Sequence, residues 1–253
     1  MRIVKRLLLP ILLGALVVAA CGTPPDPQPL RLGQAPWTDG EQSVFAVAGN
    51  ETETRGSSTF LINRAAPQAG SGDGGEEPWV LRRELTALGD QEIAVVEMET
   101  DRFRPVSSTV VRLLADGAVE QVIASYQAGQ VDLELTSRQN VTSYERFNVP
   151  SDARDQRSLP FLVRTLPLES GYVTRINTFL PITGILDRVT VSVVGREDLS
   201  VPAGAFDTWR VRLDTGDSVS QLWVGVDAPH PIVKYDDGRA GATYELQEFT
   251  PGG

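Results

Sequence analysis

Cys21 and His230 are the sole cysteine and the sole histidine of the sequence, and Lys5 and Lys234 are its two lysines. One thiol and one imidazole cannot supply the ligands of a Cys/His zinc site, and they offer a single pairing of nucleophile and base. A disulfide within the chain needs a second cysteine. A Ser-His-Asp arrangement would have to use His230, which sits between Pro229 and Pro231, and no Gly-x-Ser-x-Gly elbow accompanies it. His230 therefore reads as a turn residue and Lys234 as a strand residue facing solvent. Asp214-Thr215-Gly216 would do acid–base chemistry only with a second copy sharing its proton, and the sequence holds one copy, so a hairpin turn accounts for it. Asp236, Asp237, Glu245 and Glu248 are hard-cation ligands by type, without the spacing of a calcium loop. The reading is of no metal, no cofactor and no catalytic residue.

The chemistry written most plainly is that of Cys21. Arg2, Lys5 and Arg6 precede a 14-residue apolar run, 7–20, that ends Val18-Ala19-Ala20-Cys21. Fourteen residues fall short of the roughly 20 that a helix needs to span a bilayer. A charged start, a short apolar core and small residues at a cleavage site make a secretory signal. With a Cys at its end it resembles the lipobox of bacterial lipoproteins. That resemblance implies cleavage before Cys21, acyl chains on its sulfur and amine, and a partner in the membrane. The expected location is the bacterial cell envelope, on a membrane outer face or the periplasmic side of the outer membrane. Two or more acyl chains anchor stably where one is marginal.

The 253 residues carry 23 Lys+Arg and 33 Asp+Glu, a net −10. Removing 1–20 takes away three positive and no negative charges, leaving −13. Nucleic acid as a partner is excluded on field alone. Residues 21–36 hold five prolines and read as a spacer after the lipidated Cys. A single domain over 37–250 follows, with a Gly-rich stretch at 66–78 read as a mobile loop.

Most of that domain alternates with period two. Val131, Leu133 and Leu135 alternate with acids and Thr; Val189, Val191 and Val193, then Trp209, Val211 and Leu213, then Leu222, Val224 and Val226 repeat the pattern. Short turn signals between these runs force antiparallel pairing, which predicts a long meander of about ten strands. Leu159, Leu162, Val163 and Leu166 break the pattern with helical spacing. Ser158 is placed to cap that helix and Pro167 to end it. Two turns of helix cannot stand alone and must pack on the sheet. The expected fold is mostly β, a large curved antiparallel meander forming a half-open barrel, with one or two short helices on its concave side. A closed barrel and a sandwich stay open as alternatives.

From Asp101 onward, an ordered set of motifs carries a resemblance. It comprises Arg104-Pro105-Val106-Ser107-Ser108, Leu162-Val163-Arg164-Thr165-Leu166-Pro167-Leu168 with Gly171-Tyr172, Val201-Pro202-Ala203-Gly204-Ala205-Phe206, Leu222-Trp223-Val224 and Pro231-Ile232-Val233-Lys234-Tyr235. It resembles a family of bacterial exported proteins of unassigned function. The resemblance implies a half-barrel related to the lipoprotein-localisation factors of the LolA/LolB type, and a lipid-handling relative. It supplies no catalytic residue.

Candidate residues lining such a concavity are Leu159, Phe161, Leu162, Val163, Leu166, Tyr172, Phe179, Trp209 and Trp223, since ligand pockets are mostly apolar. The same residues would also fill a solid core. Two functions follow: a non-enzymatic, lipid-anchored protein binding a hydrophobic ligand such as a lipid or an acyl chain, or a structural lipoprotein with a filled core that contacts an envelope protein partner. A hydrolase built on scattered carboxylates is the third class.

Overall fold

The computed structural model describes residues 25–49, 54–65 and 77–253. The signal segment 1–20, Cys21 and residues 66–76 of the Gly-rich stretch lie outside the described residues. The strands in chain order are β1 (Glu41–Gly49), β2 (Thr54–Arg64), β3 (Trp79–Ala87), β4 (Asp90–Met98), β5 (Pro105–Leu113), β6 (Val119–Gln127), β7 (Gln130–Thr136) and β8 (Thr142–Asn148). After them come β9 (Arg154–Asp155), β10 (Val173–Leu180), β11 (Ile185–Val201), β12 (Gly204–Asp214), β13 (Val219–Gly225), β14 (Ile232–Asp237) and β15 (Ala242–Thr250). One helix, α1 (Leu159–Val163), follows a 3-10 turn at Gln156–Ser158.

All fifteen strands form one sheet in the order β8-β7-β6-β5-β4-β3-β2-β1-β15-β14-β13-β12-β11-β10-β9. Chain neighbours from β1 to β8 and from β10 to β15 pair antiparallel, and β9 runs parallel to β10. The first and last strands, β1 and β15, pair in the middle of the sheet. The two edges, β8 and β9, are consecutive in sequence yet do not pair, so the sheet curves into a half-open barrel. This excludes the closed barrel and the sandwich. The two ends of the sheet approach through side chains, with the rings of Phe147 on β8 and Phe179 on β10 5.3 Å apart.

Fifteen strands exceed the ten or so that alternation marks. β8 is the clearest case: six of its seven residues are exposed, so neither face carries an apolar signal. The helix is shorter than its stripe. The amides of Arg164 and Thr165 bond to Phe161 and Leu162, three residues back, which tightens the chain into a 3-10 turn before Pro167. Ser158 does not cap; its hydroxyl donates to the Asp155 carbonyl at 2.8 Å. The Asp155 carboxylate instead accepts the Arg157 amide at 2.8 Å, capping the 3-10 turn.

Residues 28–36, read above as spacer, lie against the domain. The Gln28 amide donates to the Val173 carbonyl at 2.7 Å, and the Gly33 amide to that of Thr165, also at 2.7 Å. Leu30, Leu32 and Ala35 pack on the main core. Proline leaves a chain extended, but apolar residues every two or three positions give this segment a face to bury.

Candidate functional site

The nine apolar candidates divide three ways. Leu159, Phe161, Leu162, Val163, Leu166 and Tyr172 are buried in the main core, and Trp209 packs partly buried against it. Phe179 belongs to a second cluster with Val122, Ala124, Val131 and Leu133, where the sheet edges meet. Trp223 lies on the other face of the sheet. Leu222 and Val224 beside it point into the core, and alternation turns Trp223 outward, next to Lys234. The Lys234 ammonium sits 5.3 Å from the Trp223 ring centre and 3.5 Å from Glu245. Its side chain is only 21% exposed, so this lysine is covered by an outer-face cluster and is not a free solvent group. Asp214 and His230 behave as turn residues: the Asp214 carboxylate accepts the Gly216 amide at 2.8 Å, and His230, at φ 57°, has Nδ1 3.0 Å from the Gly225 carbonyl.

The interior also holds charge. Arg164, the residue after α1, donates from Nη1 and Nη2 to the two Glu41 carboxylate oxygens at 2.6 and 3.0 Å. Nη2 also reaches the Pro229 carbonyl at 2.8 Å. Both side chains are almost wholly buried, and the guanidinium lies 5.4 Å from the Trp37 ring centre. One bidentate pair thus ties the plugging helix to the first residue of β1.

A second pair lies toward the opposite ends of the strands. Glu92 accepts from Arg112 Nε at 2.8 Å and from Arg157 Nη2 at 3.2 Å. Burial alone would raise the Glu92 pKa, but Arg157, Arg112 and Arg83 outweigh it and hold the carboxyl below its usual value. A carboxylate with a lowered folded-state pKa contributes stability above its unfolded value and loses it as pH falls through the folded value. Wild type is therefore expected to exceed Glu92→Gln by about 1–3 kcal/mol at neutral pH. Urea titrations in acid should show that margin fading below about pH 4.5. A margin independent of pH would show that Glu92 does not act through its charge.

A wide cleft opens where β2 ends and β3 begins, with a volume of about 840 Å³. The strap residues Leu32, Gly33 and Ala35 form one wall, and Trp37, Trp79 and Phe103 its aromatic floor. Trp37 packs edge-on against Trp79, Phe103 and Phe161, with ring centres 6.0, 5.5 and 6.0 Å away. The indole Nε1–H groups of both Trp37 and Trp79 are buried and lack a hydrogen-bond partner. Arg64 lies 3.7 Å above the Trp79 ring, held by the Glu77 carbonyl at 2.8 Å. Phe103 is fixed at φ 51°, a left-handed conformation that a bulky residue adopts only under constraint. Next to it, Arg104 clamps Glu99 with two bonds of 2.8 Å. The cleft offers aromatic surface and a stacked guanidinium. None of the nine apolar candidates lines it. No sequence pattern links Trp37 to Trp79; pairing of β2 with β1 and β3 brings them together.

No curated protein matches the chain. Among solved structures, a beta-barrel-like protein of the domain of unknown function DUF1849 from Brucella abortus aligns with a TM-score of 0.55 at 10% identity, over 86% of this chain and 99% of that one. The likeness is one of fold. A protein described as exported, with a YmcC-like fold, from Bacteroides fragilis aligns at TM-score 0.28 and 11% identity over 87% of this chain and all of its own. One described as a lipoprotein, from Parabacteroides distasonis, aligns at 0.31 and 10% over the same shares. Neither of the last two bears weight at those scores. The motif series seen from Asp101 onward falls within a family match covering residues 90–246, more than half of the chain, and the protein belongs to that family, DUF3108, a protein family of unknown function.

Proposed function

We propose that the chain is a non-enzymatic lipoprotein of the bacterial cell envelope, anchored through acyl chains on Cys21, that binds an amphiphile in the cleft at Trp37 and Trp79. The observation that carries this reading is the pair of buried indole N–H groups without partners. An unmet buried donor costs about 1–3 kcal/mol, which an ester or amide carbonyl in the cleft would relieve. The ligand that suits aromatic surface beside such donors is a lipid or a lipoprotein acyl chain with its ester end. Kinship with the lipoprotein-localisation factors is part of the same proposal, supported by the open curved sheet with a helix inside it. Position supports it too. Gln28, where the strap joins the domain, follows Cys21 by seven residues, at most about 25 Å of extended chain. The anchor would keep the cleft within reach of the bilayer.

Native mass spectrometry of residues 22–253 after incubation with phospholipid is the test. A lipid adduct is expected on wild type. Trp37→Phe/Trp79→Phe keeps an aromatic ring at each position and deletes both N–H groups with the pyrrole halves that carry them, so affinity should fall at least roughly 30-fold at about 1 kcal/mol per bond. An adduct unchanged in the double variant would move the ligand elsewhere. The packed interior favours the second reading, a structural protein acting through an envelope partner, and a lipid-free wild-type mass would select it.

A further inference from the structure

A second cleft, of about 240 Å³, lies away from the aromatic one, over the 3-10 turn that precedes α1. In a chain of net charge −10 its walls hold four arginines: Arg83, Arg112, Arg157 and Arg239. Two of them share one carboxylate, Glu92. Arg239 pairs with Asp187 at 2.6 Å, and the Asp237 carboxylate is taken up by the amides of Arg239 and Ala240. Arg83 pairs with no carboxylate among the described residues and lies 4.6 Å over the Phe60 ring. Positive charge is therefore left over in the cleft.

The floor supplies the independent observation. Arg157 is 6% exposed, lines the cleft, and has a buried Nη1 with no hydrogen-bond partner. Beside it, Gln156 Oε1 is likewise buried and unpartnered. The turn carrying both residues is pinned from behind by Asp155, whose carboxylate accepts the Arg157 amide at 2.8 Å and the Tyr126 hydroxyl at 2.7 Å. Burial, then the neighbouring Asp155, push the Tyr126 phenol far above its ordinary pKa, so it remains a donor. The remaining lining includes Leu85, Leu180 and Ile182, with Tyr235 and Tyr244, whose rings stack 5.5 Å apart.

We propose that this cleft binds a small organic carboxylate with a short apolar body. Its carboxylate would take the free Nη1 of Arg157 and the charge of Arg83, with the hydrocarbon against Leu85, Leu180 and Ile182. At about 30 Å³ per water, the volume holds about eight water-sized groups, the size of a six-carbon carboxylate, and points to a small free molecule. The site is distinct from the aromatic cleft, and its ligand is selected by charge.

Isothermal titration of residues 22–253, which hold every described residue, with hexanoate, hexanol and inorganic phosphate tests this. Hexanoate should bind and hexanol should not. Arg83→Gln and Arg157→Gln should each weaken hexanoate about tenfold or more. If loss of the Glu92 contact keeps Arg157→Gln from folding, Arg83→Gln carries the test, because Arg83 makes no ion pair among the described residues. Trp37→Phe/Trp79→Phe should leave hexanoate binding intact, which separates this site from the lipid reading above. Hexanol binding as well as hexanoate, phosphate binding as well as hexanoate, or wild-type affinity in Arg83→Gln would each overturn the proposal.

Discussion

Glu41→Ala is expected to destabilise the fold by about 3–5 kcal/mol, because it strands Arg164 as a buried, unpaired cation. Both side chains are at most 2% exposed, and the guanidinium is packed 5.4 Å from the Trp37 ring centre. Small domains have only about 5–15 kcal/mol in hand, so the variant should lose a large part of its stability in urea. The attraction of the pair in a dry interior is largely offset by the desolvation of both charges. Glu41→Leu/Arg164→Met should therefore recover most of what Glu41→Ala loses. It should still fall short of wild type, because the Pro229 carbonyl loses its 2.8 Å donor. A loss under about 1 kcal/mol in Glu41→Ala would show the pair to be wet, and the plug not tied to β1 through charge.

Phe161→Ala should cost about 3–5 kcal/mol, the usual range for deleting a buried ring. The ring is 2% exposed, 6.0 Å from Trp37 and 5.8 Å from Phe60. α1 has five residues, too few to hold a helix by its own hydrogen bonds, so packing of this side chain keeps it in the barrel. The aromatic near-ultraviolet circular dichroism should weaken along with the thermal midpoint, since Trp37 loses its edge-on neighbour. A variant that keeps the wild-type midpoint would make α1 a dispensable lid over a hollow barrel, and would return the buried apolar candidates to the role of ligand lining.

These two variants address the choice that apolar residue types left open. Leu159, Phe161, Leu162, Val163, Leu166 and Tyr172 suit a lipid cavity and a solid core equally well in composition. They are buried together here in one core cluster with residues of the surrounding strands. Trp223 shows a different limit. The alternation that marks β13 already places it opposite Leu222 and Val224, so its outward position was legible; its size and aromaticity argued the other way. Lys234 follows from Trp223, since an outward indole beside it covers the ammonium.

What the sequence determined by itself is whatever depends on local order. Period-two runs with short turns between them dictate antiparallel neighbours, and fourteen of the fifteen strands pair accordingly. The i, i+3, i+4 spacing from Leu159 locates the one helix among the described residues, and Asp214-Thr215-Gly216 makes the turn its composition implies. Tertiary structure alone decided which distant residues share a site. Glu41 meets Arg164 across 123 positions and Arg157 meets Glu92 across 65, because a meander that curves back on itself sets the middle strands against the segment crossing its interior. The strap at 28–36 joins the fold for the same reason: its amides find carbonyls beyond α1 that no nearby residue supplies. Both clefts are consequences of that curvature. The chain order of their residues carries no trace of them, since unmet donors such as the indoles of Trp37 and Trp79 arise only when the surrounding strands have taken water away.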